Sequence, residues 1–153
     1  MDINRIGKSG IKDALSLVWD VFQEFEAPDY AQEGIDTFHD FIKPDSILEK
    51  MERKEILFWS CMMGSSLAGV LAVRNDNHIC LLFVRREFQR QGIARKLFLA
   101  AEEYCRSLGL KNMTVNSSPY AVEAYRRLGF KDLAMEQTMN GIRYTPMEYA
   151  INI

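Results

Sequence analysis

Cysteine and histidine are scarce in this chain, and each scarcity excludes something. The three cysteines, Cys61, Cys80 and Cys105, lie far apart and form no Cys-x-x-Cys pair. That spacing suggests neither a zinc ribbon nor a disulfide framework. An odd number of thiols, with no secretory leader in view, predicts a reducing, cytoplasmic setting. The two histidines, His39 and His78, have no companion at ligand spacing, so no metal is expected. Charge of one sign is also missing. Nineteen Lys and Arg face 21 Asp and Glu, for a net charge of −2, which leaves no general nucleic-acid footprint. No apolar run approaches the length of a membrane span, so no membrane partner is expected. Internal repeats and low-complexity segments are absent too.

What is present suits one domain over residues 1–153. A chain of this size buries roughly 70% of its unfolded surface, enough for a real core. Residues 2–6 can form a strand. Ile11, Leu15, Val18, Phe22 and Phe25 recur at helical spacing and predict a helix over about 10–25, stopped by Pro28. Ile35, Phe38, Phe41 and Ile42 give the stripe of a second helix over 31–42, ended by Pro44, and 45–54 reads as a charged helix. Three strands in a meander follow, Ile56–Met62, Leu67–Val73 and His78–Val84, separated by Gly64-Ser65-Ser66 and Asn75-Asp76-Asn77 turns. A helix over 92–108 and a strand over Met113–Ser117 follow the third strand as a right-handed crossover, which implies a parallel pair, and Ser118 and Pro119 give the N-cap and first-turn proline of the next helix. Asp132–Thr138 and Ile142–Ile151 read as a hairpin around a type I′ Asn140-Gly141 turn. The expected fold class is α/β with a mixed sheet and helices on both faces.

The stretch from Val84 to Leu97 organises the chain. An apolar strand runs into a basic loop, and Gly92 then opens an amphipathic helix. A helix start leaves N–H groups unsatisfied and carries partial positive charge, so it suits an anion such as a diphosphate. Gly92 and Ala94 are small, and Arg85, Arg86, Arg90, Arg95 and Lys96 surround the turn with cations.

Gln89-x-x-Gly92-x-Ala94 matches the Q/R-x-x-G-x-G/A signature of the GNAT superfamily of acyl-CoA-dependent N-acetyltransferases. A second block, Ala121-x-x-x-Tyr125-x-x-x-Gly129-Phe130, matches the family's A-x-x-x-Y-x-x-x-G-F segment at the expected distance. The chain therefore resembles that superfamily, well over residues 67–150 and in outline before them. The resemblance implies a mostly antiparallel mixed sheet whose parallel pair splays at an acetyl-CoA site. It implies that Gln89, Arg90, Gln91, Gly92, Ile93, Ala94, Arg95 and Lys96 grip the diphosphate of coenzyme A. It also implies that the pantetheine arm lies along Leu82, Phe83 and Val84 like an added strand. Val84 is the candidate for the N–H that polarises the thioester carbonyl. The sequence departs from many relatives at Arg86, where they carry proline, and at Ser118, where they carry asparagine. Arg86 can reach a phosphate instead, and Asn116 can substitute for the missing amide.

The resemblance further implies that Tyr125 serves the departing thiolate. A phenol at about 10 protonating a thiolate at about 8.5 is uphill by roughly 2 kcal/mol, so hydrogen bonding to the developing charge is the alternative to full proton transfer. A base for the incoming amine is expected from His78, which stands eleven residues before Gln89, or from Glu24 or Glu26; a water relay is the alternative to any single base. Residues 20–40 hold seven acids and no Lys or Arg. With Glu24, Glu26 and Glu33 as substrate-binding residues, this stretch reads either as an acidic mouth for a cationic amine or as a solvated helix face. The expected activity is transfer of acetyl from acetyl-CoA to a primary amine by direct attack in a ternary complex. The acceptor is a small molecule, a peptide N-terminus or a lysine. The alternatives are a non-catalytic acyl-CoA sensor and a transferase for a longer acyl group. The resemblance also allows a homodimer.

Overall fold

A computed structural model describes residues 1–151; 152 and 153, the end of the expected domain, lie outside the described residues. The chain runs β1 (Asp2–Ile6), α1 (Ile11–Phe25), α2 (Gln32–Phe41), α3 (Pro44–Glu52), β2 (Ile56–Met63), β3 (Ser66–Arg74) and β4 (His78–Val84). It continues through α4 (Ile93–Ser107), β5 (Asn112–Ser117), α5 (Val122–Leu128), β6 (Lys131–Asp132), β7 (Gln137–Met139) and β8 (Ile142–Ala150). The sheet order is β1-β2-β3-β4-β5-β8-β6, with β7 also paired to β8. Only β4 and β5 run parallel; the other pairs are antiparallel.

Strand alternation divides the core between the two faces of the sheet. Trp59, Leu71, Val73 and Val115 pack with Leu97, Phe98 and Ala101 of α4 and with Tyr125 of α5. Phe58, Val70, Ala72, Leu81 and Phe83 pack with Leu15, Val18 and Phe22 of α1 and Ile47 of α3. The α1 stripe read from the sequence is buried from Ile11 to Phe22, whereas Ile35, Phe38 and Phe41 of the second stripe are half-buried against it. Phe38 of α2 stacks on Phe22 with centroids 4.0 Å apart, which docks α2 over α1.

Three local expectations change. Regular alternation along the expected strand His78–Val84 is interrupted. Ala72 pairs with Leu81 but Val73 pairs with Ile79, so Cys80 is an extra residue on β4. This bulge turns Ile79 to the α4 face while Leu81 and Phe83 stay on the α1 face. The helix expected from Ser118-Pro119 starts only at Val122, after a turn in which Ser118 Oγ accepts the Ala121 N–H at 3.3 Å. The expected strand 132–138 is split. Asp132 pairs with Met147 and Gln137 with Tyr144, so the four residues 133–136 on one side oppose the two residues 145–146 on the other. Pro146 lies within that interval of β8 and has no N–H to offer a partner strand. The surplus residues loop out, leaving Leu133 and Met135 exposed.

Candidate active site

The parallel pair is short. His78 pairs with Thr114 and Ile79 with Val115, and no further pairing follows, although β4 runs on to Val84 and β5 to Ser117. The strands part at the Cys80 bulge. Beyond it, the ladder phase decides which β4 groups are free. Arg85 N–H donates to Ala68 O, so Phe83 and Leu81, two and four residues earlier, turn their backbone groups towards β3. Leu82 and Val84 turn theirs to the gap. An extended amide-bearing chain can therefore add to this edge through Leu82 and Val84, while Phe83 contributes its side chain.

The loop after β4 is held by its own side chains. Gln89 Nε2 donates to Val84 O at 3.0 Å, and Gln91 Nε2 donates to Glu87 O at 3.4 Å. Arg90 (φ 64°) and Gly92 (φ 82°) both take left-handed backbone, which lets α4 begin directly behind the loop. Space is not what demands glycine at 92, since a Cβ there would meet nothing within 4 Å; the positive φ is. No side chain caps the first turn of α4, and Lys96 N–H makes its bond back to Gly92 O. The amides of Ile93, Ala94 and Arg95 at that turn are thus placed for an anion, with Arg90, Arg95 and Lys96 exposed around it. Ile93 itself is buried and contributes backbone only.

Two cavities flank the gap. One, of about 360 Å³, lies beneath α2 and the β7–β8 hairpin and is walled by Phe22, Tyr30, Phe38, Phe41 and Ile142. The other, of about 330 Å³, runs along Leu82 and Val84 to Ala94 and Arg95 at the start of α4. They meet at Glu26, Leu82, Phe83, Ala121 and Tyr125, which line both.

Two titratable groups stand at that junction. Burial pushes the Glu26 carboxyl up to about 7; the Ser118 side chain pulls it back and the charge of Asp29 adds to the rise. Burial also holds the Tyr125 phenol well above its ordinary value, helped by the nearby Glu26 and Cys80. Cys80 itself is pushed up to about 12 by burial, so its thiol stays protonated and is no ready nucleophile.

Other expected residues are placed elsewhere. His78 lines the first cavity, away from the junction, with Nδ1 2.8 Å from Thr114 Oγ. Burial, and then Arg74, lower it to about 4. Val84 lines the second cavity but not the junction, whereas Leu82 lies at the junction itself. Asn116 and Ser118 line the first cavity. The acidic stretch does not converge on a mouth. Glu24 is paired with Arg86 at 2.9 Å, Asp20 with Arg85 at 3.3 Å and Asp40 with Lys43 at 3.1 Å. Glu33 is exposed. Neither Glu24 nor Glu33 is among the residues lining the two cavities. Arg86, which could have reached a phosphate, instead pairs with Glu24 and lies 5.5 Å from the centre of the Phe25 ring.

Sequence reasoning missed the wall of the first cavity supplied by the hairpin, through Met139, Asn140, Ile142 and Tyr144. The Asn-Gly turn signal located that hairpin but not its tertiary docking. No helix among the described residues is long and apolar enough to cross a membrane.

Comparisons with known proteins agree with the fold. In the solved structures, a PaiA N-acetyltransferase from Thermoplasma acidophilum in complex with coenzyme A superposes with a TM-score of 0.81 at 18% identity, over 97% of this chain and 98% of that one. A GCN5-related N-acetyltransferase from Rhodopseudomonas palustris gives 0.80 at 15% identity, over 97% and 94%. The ribosomal-protein-S18-alanine N-acetyltransferase from Escherichia coli gives 0.68 at 16% identity, over 99% and 94%. A comparison with curated protein sequences finds no match. The sequence profile described as an acetyltransferase (GNAT) domain matches residues 26–151. The chain belongs to the GNAT acetyltransferase family, whose standard cofactor is acetyl-CoA.

Proposed function

We propose that the protein transfers acetyl from acetyl-CoA to the primary amine of a small molecule or short peptide, in a ternary complex without a covalent enzyme intermediate. The observation that carries this reading is the meeting of two cavities at Glu26 and Tyr125. A donor in one and an acceptor in the other come together there and nowhere else along the gap. The cofactor supplies, when bound, an activated acyl carbon and a thiolate leaving group.

The chain does the rest. The amides at the start of α4, with Arg90, Arg95 and Lys96, take the diphosphate, and the Leu82 and Val84 edge takes the pantetheine amides. Leu82 N–H, rather than Val84 N–H, polarises the acyl carbonyl, since Leu82 borders both cavities. An alkyl amine with a pKa near 10.4 is almost fully protonated at neutral pH and cannot attack in that form. Glu26, at about 7, is the base that takes the proton: it is charged at mildly alkaline pH and basic enough to be useful. His78, at about 4 and remote from the junction, is the poorer base. The Tyr125 hydroxyl donates a hydrogen bond to the departing sulfur as charge develops there, and the thiolate takes up the second proton, which nitrogen releases as the amide forms. A phenol so disfavoured in its ionised form is a better hydrogen-bond donor than proton donor.

The test is thiol release from acetyl-CoA across a panel of apolar and aromatic primary amines. Turnover with saturation in both substrates is expected. Tight coenzyme A binding with no turnover on any amine would leave the sensor reading in its place, and turnover only with a longer acyl-CoA would leave the third.

A further inference from the structure

The first cavity is chemically lopsided. Glu26 stands at the junction end. At the opposite end, beside the β3–β4 turn, Arg74 lines the wall, close enough to act electrostatically on both His78 and Cys80. Lys50 adds a second positive charge that is felt at Cys80, and its ammonium sits 4.9 Å from the centre of the Phe41 ring, itself part of the wall. Arg74 takes part in none of the ion pairs among the described residues. Between the ends the walls are aromatic, from Phe22, Tyr30 and Phe38.

Length constrains the ligand. His78 and Leu82 both line this cavity; with Cys80 bulged out they stand three ladder steps apart, opposite Arg74 and Leu71 of β3, a span of about 10 Å. An α-amino acid carries its amine and carboxylate on one carbon and cannot address both ends together. A polycation has no counter-charge to meet at the Arg74 end.

Resting on the acetyltransferase reading above, we infer that the acceptor is an extended amino acid. It bears a primary amine at one end of an apolar or aromatic body and a carboxylate at the other, with Arg74 engaging the carboxylate and Glu26 facing the amine. A guanidinium suits a planar carboxylate because it can donate two parallel hydrogen bonds. His78 flanks that subsite as a neutral neighbour.

The experiment uses two probes of one shape, 4-(4-aminobutyl)benzoate and its neutral amide, 4-(4-aminobutyl)benzamide. Each is titrated calorimetrically into the coenzyme A-saturated protein. The acid is expected to bind about tenfold more tightly than the amide. Arg74→Met should erase that preference while leaving affinity for the amide in place, and Arg74→Lys should restore part of it. Equal affinity for the two probes, no binding of the acid, or an equal loss for both in Arg74→Met overturns the inference. Turnover with acetyl-CoA is read separately. If the acid binds with the stated preference but is never acetylated, the acceptor subsite stands and the transfer reading falls.

Discussion

Gly34 of α2 and Gly141 of the β7–β8 turn meet backbone to backbone. A Cβ on Gly34 would overlap the Gly141 carbonyl, its carbon only 2.8 Å away, and a Cβ on Gly141 would come within 2.9 Å of Gly34 Cα. Thr37 strengthens the contact, its hydroxyl lying 2.8 Å from Asn140 O. This glycine pair closes the roof of the first cavity, because α2 supplies Phe38 and Phe41 while the hairpin supplies Ile142 and Tyr144. Gly34→Ala must therefore push the two elements apart. Overpacking of this kind costs about 1–3 kcal/mol. The expected result is a lower Tm and a raised KM for the acceptor, with coenzyme A affinity unchanged. Parallel thermal melts and cofactor titrations check it.

The base role proposed for Glu26 fixes an expected pH dependence. As the base it must be ionised, so kcat/KM should rise with pH through about 7 and level off above. Glu26→Gln should lower turnover by about 10²–10⁴-fold and remove that limb. A rate profile that keeps its rise near 7 in the variant assigns the limb to another group.

The same carboxyl makes a stability prediction. Its folded pKa lies above the ordinary carboxyl value of 4.5, so the folded state binds more protons than the unfolded state between the two values. That contribution is complete below the unfolded pKa and is lost as pH rises through about 7. Glu26→Gln should therefore raise Tm more at pH 8 than at pH 4, provided the amide keeps the Ser118 contact. Melts of both proteins at the two pH values read the difference directly.

Tyr125→Phe removes one hydroxyl and keeps the ring that packs 5.4 Å from Phe130. Folding and coenzyme A affinity should survive. Loss of a single donor to developing charge predicts a fall in kcat of about 10²–10³-fold. An unaltered kcat would take the hydroxyl out of the reaction.

Gln89 acts through the loop. Its amide holds Val84 O, at the end of β4, against the residues that lead into α4. Gln89→Ala gives up about 1 kcal/mol of loop organisation, so coenzyme A should bind roughly fivefold more weakly. The KM for the acceptor should hardly change, since Gln89 is not among the residues lining the first cavity. By the same logic Glu24→Gln and Glu33→Gln should leave the acceptor KM where it was, and a rise in either would revive the acidic mouth.

Much of the architecture was legible because it is written in local periodicity. The stripe from Ile11 to Phe22, the alternation of the meander strands, Gly92 ahead of an amphipathic segment and the Asn140-Gly141 turn each act within a few residues of themselves. Departures came where a distant partner intervened. The Cys80 bulge depends on how β4 registers against β3, and the break in the final hairpin depends on Pro146 facing a strand 13 residues earlier, at Leu133.

The sequence by itself determined the sheet-and-helix order, the phosphate-suited helix start and the tyrosine of the second motif, because spacing along a chain fixes which groups share a helix turn or a strand edge. Only the tertiary structure decided where each acid is placed. Glu24 and Glu26 are two residues apart, yet the first points to Arg86 in solvent and the second is enclosed beside Tyr125. A carboxyl's chemistry follows from its desolvation and its neighbours, and those are supplied by segments about 100 residues away along the chain.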